Sequence, residues 1–332
     1  ATSTIITMAS NHWLLAWLGL ELNTLSILPI MMNRHHPRTS EATAKYFIIQ
    51  ALAAATILLA STINAWSTGT WNIIQTNSPL ATTLATIALL LKMGVAPVHL
   101  WYPDIMQGST LLTAMLVATW QKLAPLTLLY LMYPTSPALI LTIGLLSATI
   151  GGLAGLNQTQ TRKIMAFSSI AHMGWLLAAL MISPHLTTLT ITIYLITTTA
   201  VFITLESTKS KTIPDLSTTW TASTPTTTTM LVLLLSLGGL PPLTGFMPKL
   251  LIAKELTSMN LLPLTIALLL TSLPSLYFYT RVAYSLTLTA PPTTLCNKMA
   301  WRTAPKSHQT AAPLALTAIM LLPLTPALFN TT

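Results

Sequence analysis

Lys92-Met93-Gly94-Val95-Ala96-Pro97 interrupts a long apolar run with a lysine, a glycine and a proline, and Gly238-Gly239-Leu240-Pro241-Pro242-Leu243-Thr244-Gly245, followed by Lys249, does the same to a second run. Proline removes a helical hydrogen bond and its ring collides with the preceding turn, so both helices are expected to unwind in mid-run. Around these stretches the chain of 332 residues is 52% hydrophobic and 6% charged, with a mean hydropathy of +0.68. Soluble domains carry about 25% charged residues. Apolar runs of the roughly 20 residues needed to cross a bilayer follow one another. The fold class is therefore an all-α polytopic membrane protein.

Hydropathy and turn residues predict about eleven transmembrane helices, at 1–9, 12–32, 43–65, 80–104, 109–132, 138–157, 162–182, 187–205, 226–256, 261–289 and 311–328. The interrupted helix is the fourth of helices 1–5, about 1–132, and again the fourth of helices 6–10, about 138–289. Paired Gly/Pro-interrupted helices in corresponding halves indicate an inverted-repeat transporter with its site at the breaks. Five is odd, so the second unit starts from the opposite face. An extra C-terminal helix, about 311–328, completes a single transmembrane domain. The first helix is short, and the N-terminus is expected to be incomplete.

Charge fixes an expected orientation. With alternating helices, the loops at 33–42, 105–108, 158–161, 206–225 and 290–310 share one side, and Arg34, Arg38, Lys45, Arg162, Lys163, Lys209, Lys211, Lys298, Arg302 and Lys306 lie in or beside them. The loops at 66–79, 133–137 and 183–186 have no Lys or Arg, and Lys254 is the basic residue near a helix end on that side. The basic side should face the compartment of synthesis. The net charge of +9 thus reads as topology and gives no reason to expect nucleic acid. The single cysteine, Cys296, excludes a disulfide framework within the chain and a cysteine-rich metal or iron–sulfur site. There is no G-x-G-x-x-G, Walker A or H-E-x-x-H pattern, and the His35-His36 pair has no carboxylate or cysteine cluster beside it.

With so few charges in the chain, those inside apolar helices stand out. A charge near a bilayer centre costs roughly 2.5–3.5 kcal/mol on insertion scales and usually marks an ion or proton path. Glu21 lies within His12-Trp13-Leu14-Leu15-Ala16-Trp17-Leu18-Gly19-Leu20-Glu21-Leu22-Asn23. It can form a switchable contact with a lysine, or stay neutral and bonded to a neighbour such as Asn23. Lys92 and Lys122 lie near the middles of consecutive helices, too deep to reach an interface by snorkelling, so each is a candidate proton carrier. Lys249 follows the second break. His99 and His172 are candidate intermediates, since imidazole exchanges a proton near neutrality; a hydrogen-bonded packing role is as ordinary for either. Arg162 and Lys163 read as orientation anchors.

Five ordered motifs then carry a resemblance over essentially the whole chain. They are His12-Trp13 with Trp17-Leu18-Gly19-Leu20-Glu21-Leu22-Asn23; Lys92 to Pro97 with Val98-His99-Leu100-Trp101; Trp120-Gln121-Lys122-Leu123-Ala124-Pro125; Gly155 through Lys163 and His172 to Trp175; and Gly239 to Lys249. The sequence resembles the chain 2 family of mitochondrial NADH–ubiquinone oxidoreductase, respiratory complex I, in its vertebrate form. The resemblance implies an antiporter-like proton channel in the mitochondrial inner membrane, with Glu21, Lys92, Lys122 and Lys249 in the family's relay positions. It implies no cofactor in this chain. NADH, FMN, iron–sulfur clusters and ubiquinone would belong to partner subunits, and other membrane-arm subunits and membrane lipids would be the partners. Asp104 stands where relatives often carry Glu.

Two other readings fit the composition: a free-standing cation/proton antiporter, and a scaffold whose charges form static ion pairs. Topology is directly testable. In intact mitoplasts, the 290–310 loop should be protected from protease and from thiol labelling applied on the intermembrane side; access there would reverse the orientation.

Overall fold

The computed structural model describes residues 1–33, 36–76, 78–132, 137–221, 224–288 and 311–325. Arg34, His35, the 290–310 loop with Cys296, Lys298, Arg302 and Lys306, and the end of the expected last helix lie outside the described residues. Within the described residues the chain is helical, with two isolated antiparallel bridges. Among the described residues, seven helical stretches are long and apolar enough to cross a membrane: Trp13–Met32, Pro37–Thr68, Leu111–Leu131, Pro137–Gly155, Thr161–Ile182, Pro184–Thr208 and Leu262–Thr287. Pro79–Met93 and Thr224–Gly238 are shorter apolar helices. The contacts divide into two compact units, Ala1–Ser147 and Ala148–Thr332.

In the first unit, α1 (Thr2–Ala9) packs on α2 (Trp13–Met32), and α3 (Pro37–Thr68) packs against α2 and α4 (Pro79–Met93). α3 starts well before the expected residue 43. Pro37 is its first residue, and His36 and Thr39 form a reciprocal cap in which each side chain meets the other's backbone end. α5 (Trp101–Gly108) lies on α3 so closely that a Cβ on Gly108 would come 2.6 Å from the Ala42 Cβ. Lys45 pairs with Glu41 on its own helix at 2.7 Å and joins α3 to α5 through Asp104 at 3.0 Å. Both pairs are solvent-exposed, so their contribution to stability is small.

The predicted helix 109–132 is not continuous. α6 (Leu111–Ala118) and α7 (Leu123–Leu131) are separated by a 3₁₀ turn at Trp120–Lys122. Pro125 explains it: without an N–H it leaves the Gln121 carbonyl no helical donor, and its ring crowds the turn before it. The Thr119 hydroxyl donates to the Met115 carbonyl at 2.7 Å across the same irregularity.

In the second unit, α9 (Thr161–Ile182) is buried along nearly its whole length. α10 (Pro184–Thr208), α13 (Phe246–Ser258) and α14 (Leu262–Leu288) pack on it, and α12 (Thr224–Gly238) packs on α10 and α14. α8 (Pro137–Gly155) meets α9 at Gly151, where a Cβ would lie 2.5 Å from the Ala171 nitrogen. The 206–225 connector carries a short helix, α11 (Ile213–Ser217), where sequence reading expects only loop. Thr161 donates to Lys211 O and Ile213 to Thr159 O, both at 3.1 Å, so this connector and the one at 158–161 lie on one face of the unit. The charge count expects that pairing. The last described helix is α15 (Ala311–Met320).

Both interrupted helices end in the same way. At α4, Gly94 has φ +71°, its N–H donates to Leu91 O at 3.1 Å, and Val95 N–H donates to Leu90 O at 3.2 Å. At α12, Gly239 has φ +84°, donates to Ser236 O at 3.0 Å, and Leu240 donates to Leu235 O at 3.4 Å. This is the Schellman motif, which needs a left-handed residue and returns two donors to the last turn. Helix resumes at Trp101 in the first unit and Phe246 in the second. An alanine in the left-handed conformation costs about 1–2 kcal/mol. Gly69, at the end of α3, has φ +71° with open space around it, whereas a Cβ on Gly239 would come 3.0 Å from Lys249 Nζ. Gly239→Ala should therefore lower the thermal midpoint of the assembled protein more than Gly69→Ala; equal shifts would mean that Lys249 does not hold its place at the break.

Candidate functional site

Each break sets a lysine beside a small internal cavity. Lys92, in the last turn of α4, is 6% exposed, and Lys122, in the 3₁₀ turn, is 2% exposed. Both line a cavity of about 10 Å³, with Tyr46 and Gln50 from α3, Asn23 from α2 and Tyr102 from α5. That volume is near the smallest that holds one water. The Lys122 ammonium lies 5.0 Å from the centre of the Tyr102 ring.

The polar groups around this cavity are arranged to serve the break. In a continuous helix the Lys92 carbonyl would be bonded by Ala96 N–H; here Gln50 Nε2 donates to it at 3.3 Å. Asn23 and Gln121 form a reciprocal amide pair, at 2.7 and 3.3 Å, tying α2 to the 3₁₀ turn. Asn23 thus bonds Gln121, rather than Glu21 as the simplest sequence reading allows. Lys92 Nζ and Glu21 Oε2 are both buried without a hydrogen-bond partner among the described residues. Glu21 does not line the cavity, and the expected switchable contact with a lysine is not made with Lys92 in this conformation. His99 is buried, with Nδ1 3.0 Å from Pro97 O, and belongs to the turn after the break instead of the cavity wall.

In the second unit, Lys249 and His172 line a cavity of about 40 Å³ together with Tyr194, Thr190 and Thr197 of α10. Lys249 Nζ reaches back and donates to Gly238 O at 3.1 Å, capping a carbonyl that the break leaves without a helical donor. A cation at a helix C-terminus is favoured by the helix dipole as well as by the hydrogen bond. His172 Nε2 lies 3.4 Å from Tyr279 Oη, and its ring is 5.8 Å from that of Tyr194. Tyr279 is buried and packs against Gly238.

Comparison with known proteins places this geometry. Residues 10–274 match the family NADH:quinone oxidoreductase/Mrp antiporter, TM, and residues 276–329 match the NADH dehydrogenase subunit 2 C-terminus. The NADH-ubiquinone oxidoreductase chain 2 of Tetraodon nigroviridis is 52% identical over 327 residues, covering 98% of this chain and 94% of that one. The chain belongs to the NADH-ubiquinone oxidoreductase chain 2 family. That of Oncorhynchus mykiss is 53% identical over 329 residues, covering 98% and 93%. A chain of respiratory complex I from Thermus thermophilus with bound aureothin superposes with a TM-score of 0.84 at 26% identity, over 98% of this chain and 77% of that chain.

Sequence reading found the lysines of this family member and missed the groups that hold them. Gln50 is an amide in the apolar middle of α3, which is a usable signal; Asn23 and Gln121 flank residues already singled out. Tyr102, Tyr194 and Tyr279 carry no signal that separates them from packing aromatics. Gln50→Leu would strand the buried Lys92 carbonyl, at a cost of about 1–3 kcal/mol. Hydrogen exchange at the amides of residues 93–96 should accelerate in that variant; unchanged exchange would remove Gln50 from the support of the break.

Proposed function

We propose that this chain conducts protons as an antiporter-like subunit of the membrane arm of NADH–ubiquinone oxidoreductase in the mitochondrial inner membrane. The observation that carries the reading is the pair of broken helices, each presenting a lysine to a small buried cavity with a second proton-binding side chain in its wall. In the first unit that pair is Lys92 and Lys122; in the second it is His172 and Lys249. A buried amine can take a proton and release it, where a closed ion pair would hold its charge. Water entering the small cavities would carry the proton between the side chains that line them. Glu21, which lies outside the wall of the cavity that Lys92 lines, is kept as a member of the proposed relay. His99 has the chemistry for an intermediate and the position of a turn residue, and it is the weakest member of the proposed relay.

Partner subunits would oxidise NADH and reduce ubiquinone, and would hold FMN and the iron–sulfur clusters. Other membrane-arm subunits and lipids would cover the apolar faces of this chain. We further assign the shorter helical pieces to the remaining crossings, giving eleven in two inverted five-helix repeats with the basic loops on the matrix side. A free-standing antiporter shares the fold, but the match to the subunit 2 C-terminal family over residues 276–329 favours the respiratory assignment. Migration in a megadalton assembly on a native gel supports it, and a small homo-oligomer contradicts it.

Lys122→Met tests the relay, because it keeps length and apolar packing while deleting the amine. Proton pumping should fall with the assembled complex still present, and electron transfer should fall with it under tight coupling. A static ion-pair role predicts loss of assembly instead, since breaking a buried pair costs about 3–5 kcal/mol. Normal abundance with normal pumping per electron would defeat the relay.

A further inference from the structure

We propose that Tyr102 is a positioning residue for Lys122: its ring face binds the ammonium and holds it at the cavity that Lys122 shares with Lys92. This inference rests on the relay reading and adds to it a side chain that binds no proton of its own in the mechanism. The Lys122 Nζ lies 5.0 Å from the ring centre, within the range of a cation–π contact. Such contacts strengthen when both partners are removed from water, and here Tyr102 is 1% exposed and Lys122 2%.

The ring is held in place from several sides. Tyr102 is the second residue of α5, in the first helical turn after the break, so its position is set by where the chain resumes as a helix. Trp101 meets it edge-on, with ring centres 5.7 Å apart, and Tyr46 packs on Trp101 at 6.2 Å. The turn at Gly94 fits directly against it: a Cβ there would lie 3.2 Å from Tyr102 Cδ2 and 3.3 Å from its Cβ. The same ring therefore touches the end of the helix that carries Lys92 and the ammonium of Lys122. A ring face suits a group that must both hold and release a proton. It attracts the ammonium through its quadrupole without bringing a carboxylate into the cavity, and an opposite charge would trap the proton as a closed ion pair.

Tyr102→Phe keeps the ring face and removes the hydroxyl, while Tyr102→Leu removes the face. Both are compared in the assembled complex in inner-membrane vesicles, with pumping normalised to complex content. Rescue by the conservative variant is expected: Tyr102→Phe lowers pumping less than twofold, and Tyr102→Leu lowers it at least fivefold. Equal losses in the two variants would transfer the role to the hydroxyl, and full pumping in Tyr102→Leu would make the ring mere packing; either result overturns the proposal. Should Tyr102→Leu not assemble, it is combined with Lys122→Met. Recovery of assembly in the double variant shows that the ring acts on the ammonium, and continued failure overturns the proposal. Lys122→Met alone separates this from the relay itself: normal pumping there defeats the relay, whereas lost pumping there with normal pumping in Tyr102→Leu defeats only the role of Tyr102.

Discussion

A helix that stops inside an apolar interior leaves carbonyl groups without donors, and most of this structure can be understood as the answer to that constraint. Lipid offers no replacement hydrogen bonds, so irregular backbone at membrane depth survives only where protein or trapped water supplies them. Both breaks first use a left-handed glycine to return two amides to the last turn. Two carbonyls are left over at each helix end, and in each unit one of them receives a side-chain donor. Gln50 supplies it to Lys92 O in the first, and Lys249 supplies it to Gly238 O in the second.

The two donors differ chemically. In the first unit the cap is a neutral amide, and the Lys92 amine lines a cavity with Lys122 and has no hydrogen-bond partner among the described residues. In the second unit the cap is the lysine amine itself, which donates to Gly238 O across the turn between α12 and α13. The close approach of Gly245, whose Cβ would fall 1.9 Å from Ser236 O, shows how tightly that turn is folded on the helix it follows.

Much of this was legible in the sequence, for reasons that can be named. Glycine with proline in an apolar run marked both breaks, because glycine supplies the left-handed cap and proline prevents the helix from continuing. Proline alone was ambiguous. Pro29 and Pro274 sit inside unbroken helices, while Pro125 accompanies the unexpected 3₁₀ turn that carries Lys122. The charged members of the site stood out because an apolar chain tolerates few charges. What surrounds them did not: the Gln50 donor, the Asn23–Gln121 pair and the Tyr102 ring matter through contacts across helices, and hydropathy carries no record of which helix faces which.

The central claim is that the two lysine cavities act in one proton path. The most direct measurement is proton pumping in the assembled complex for Lys92→Met, Lys249→Met and the double variant, each normalised to complex content. Groups acting in series predict that either single substitution stops pumping as fully as the double does. Partial losses in the singles that add up in the double would show two independent functions and contradict the account.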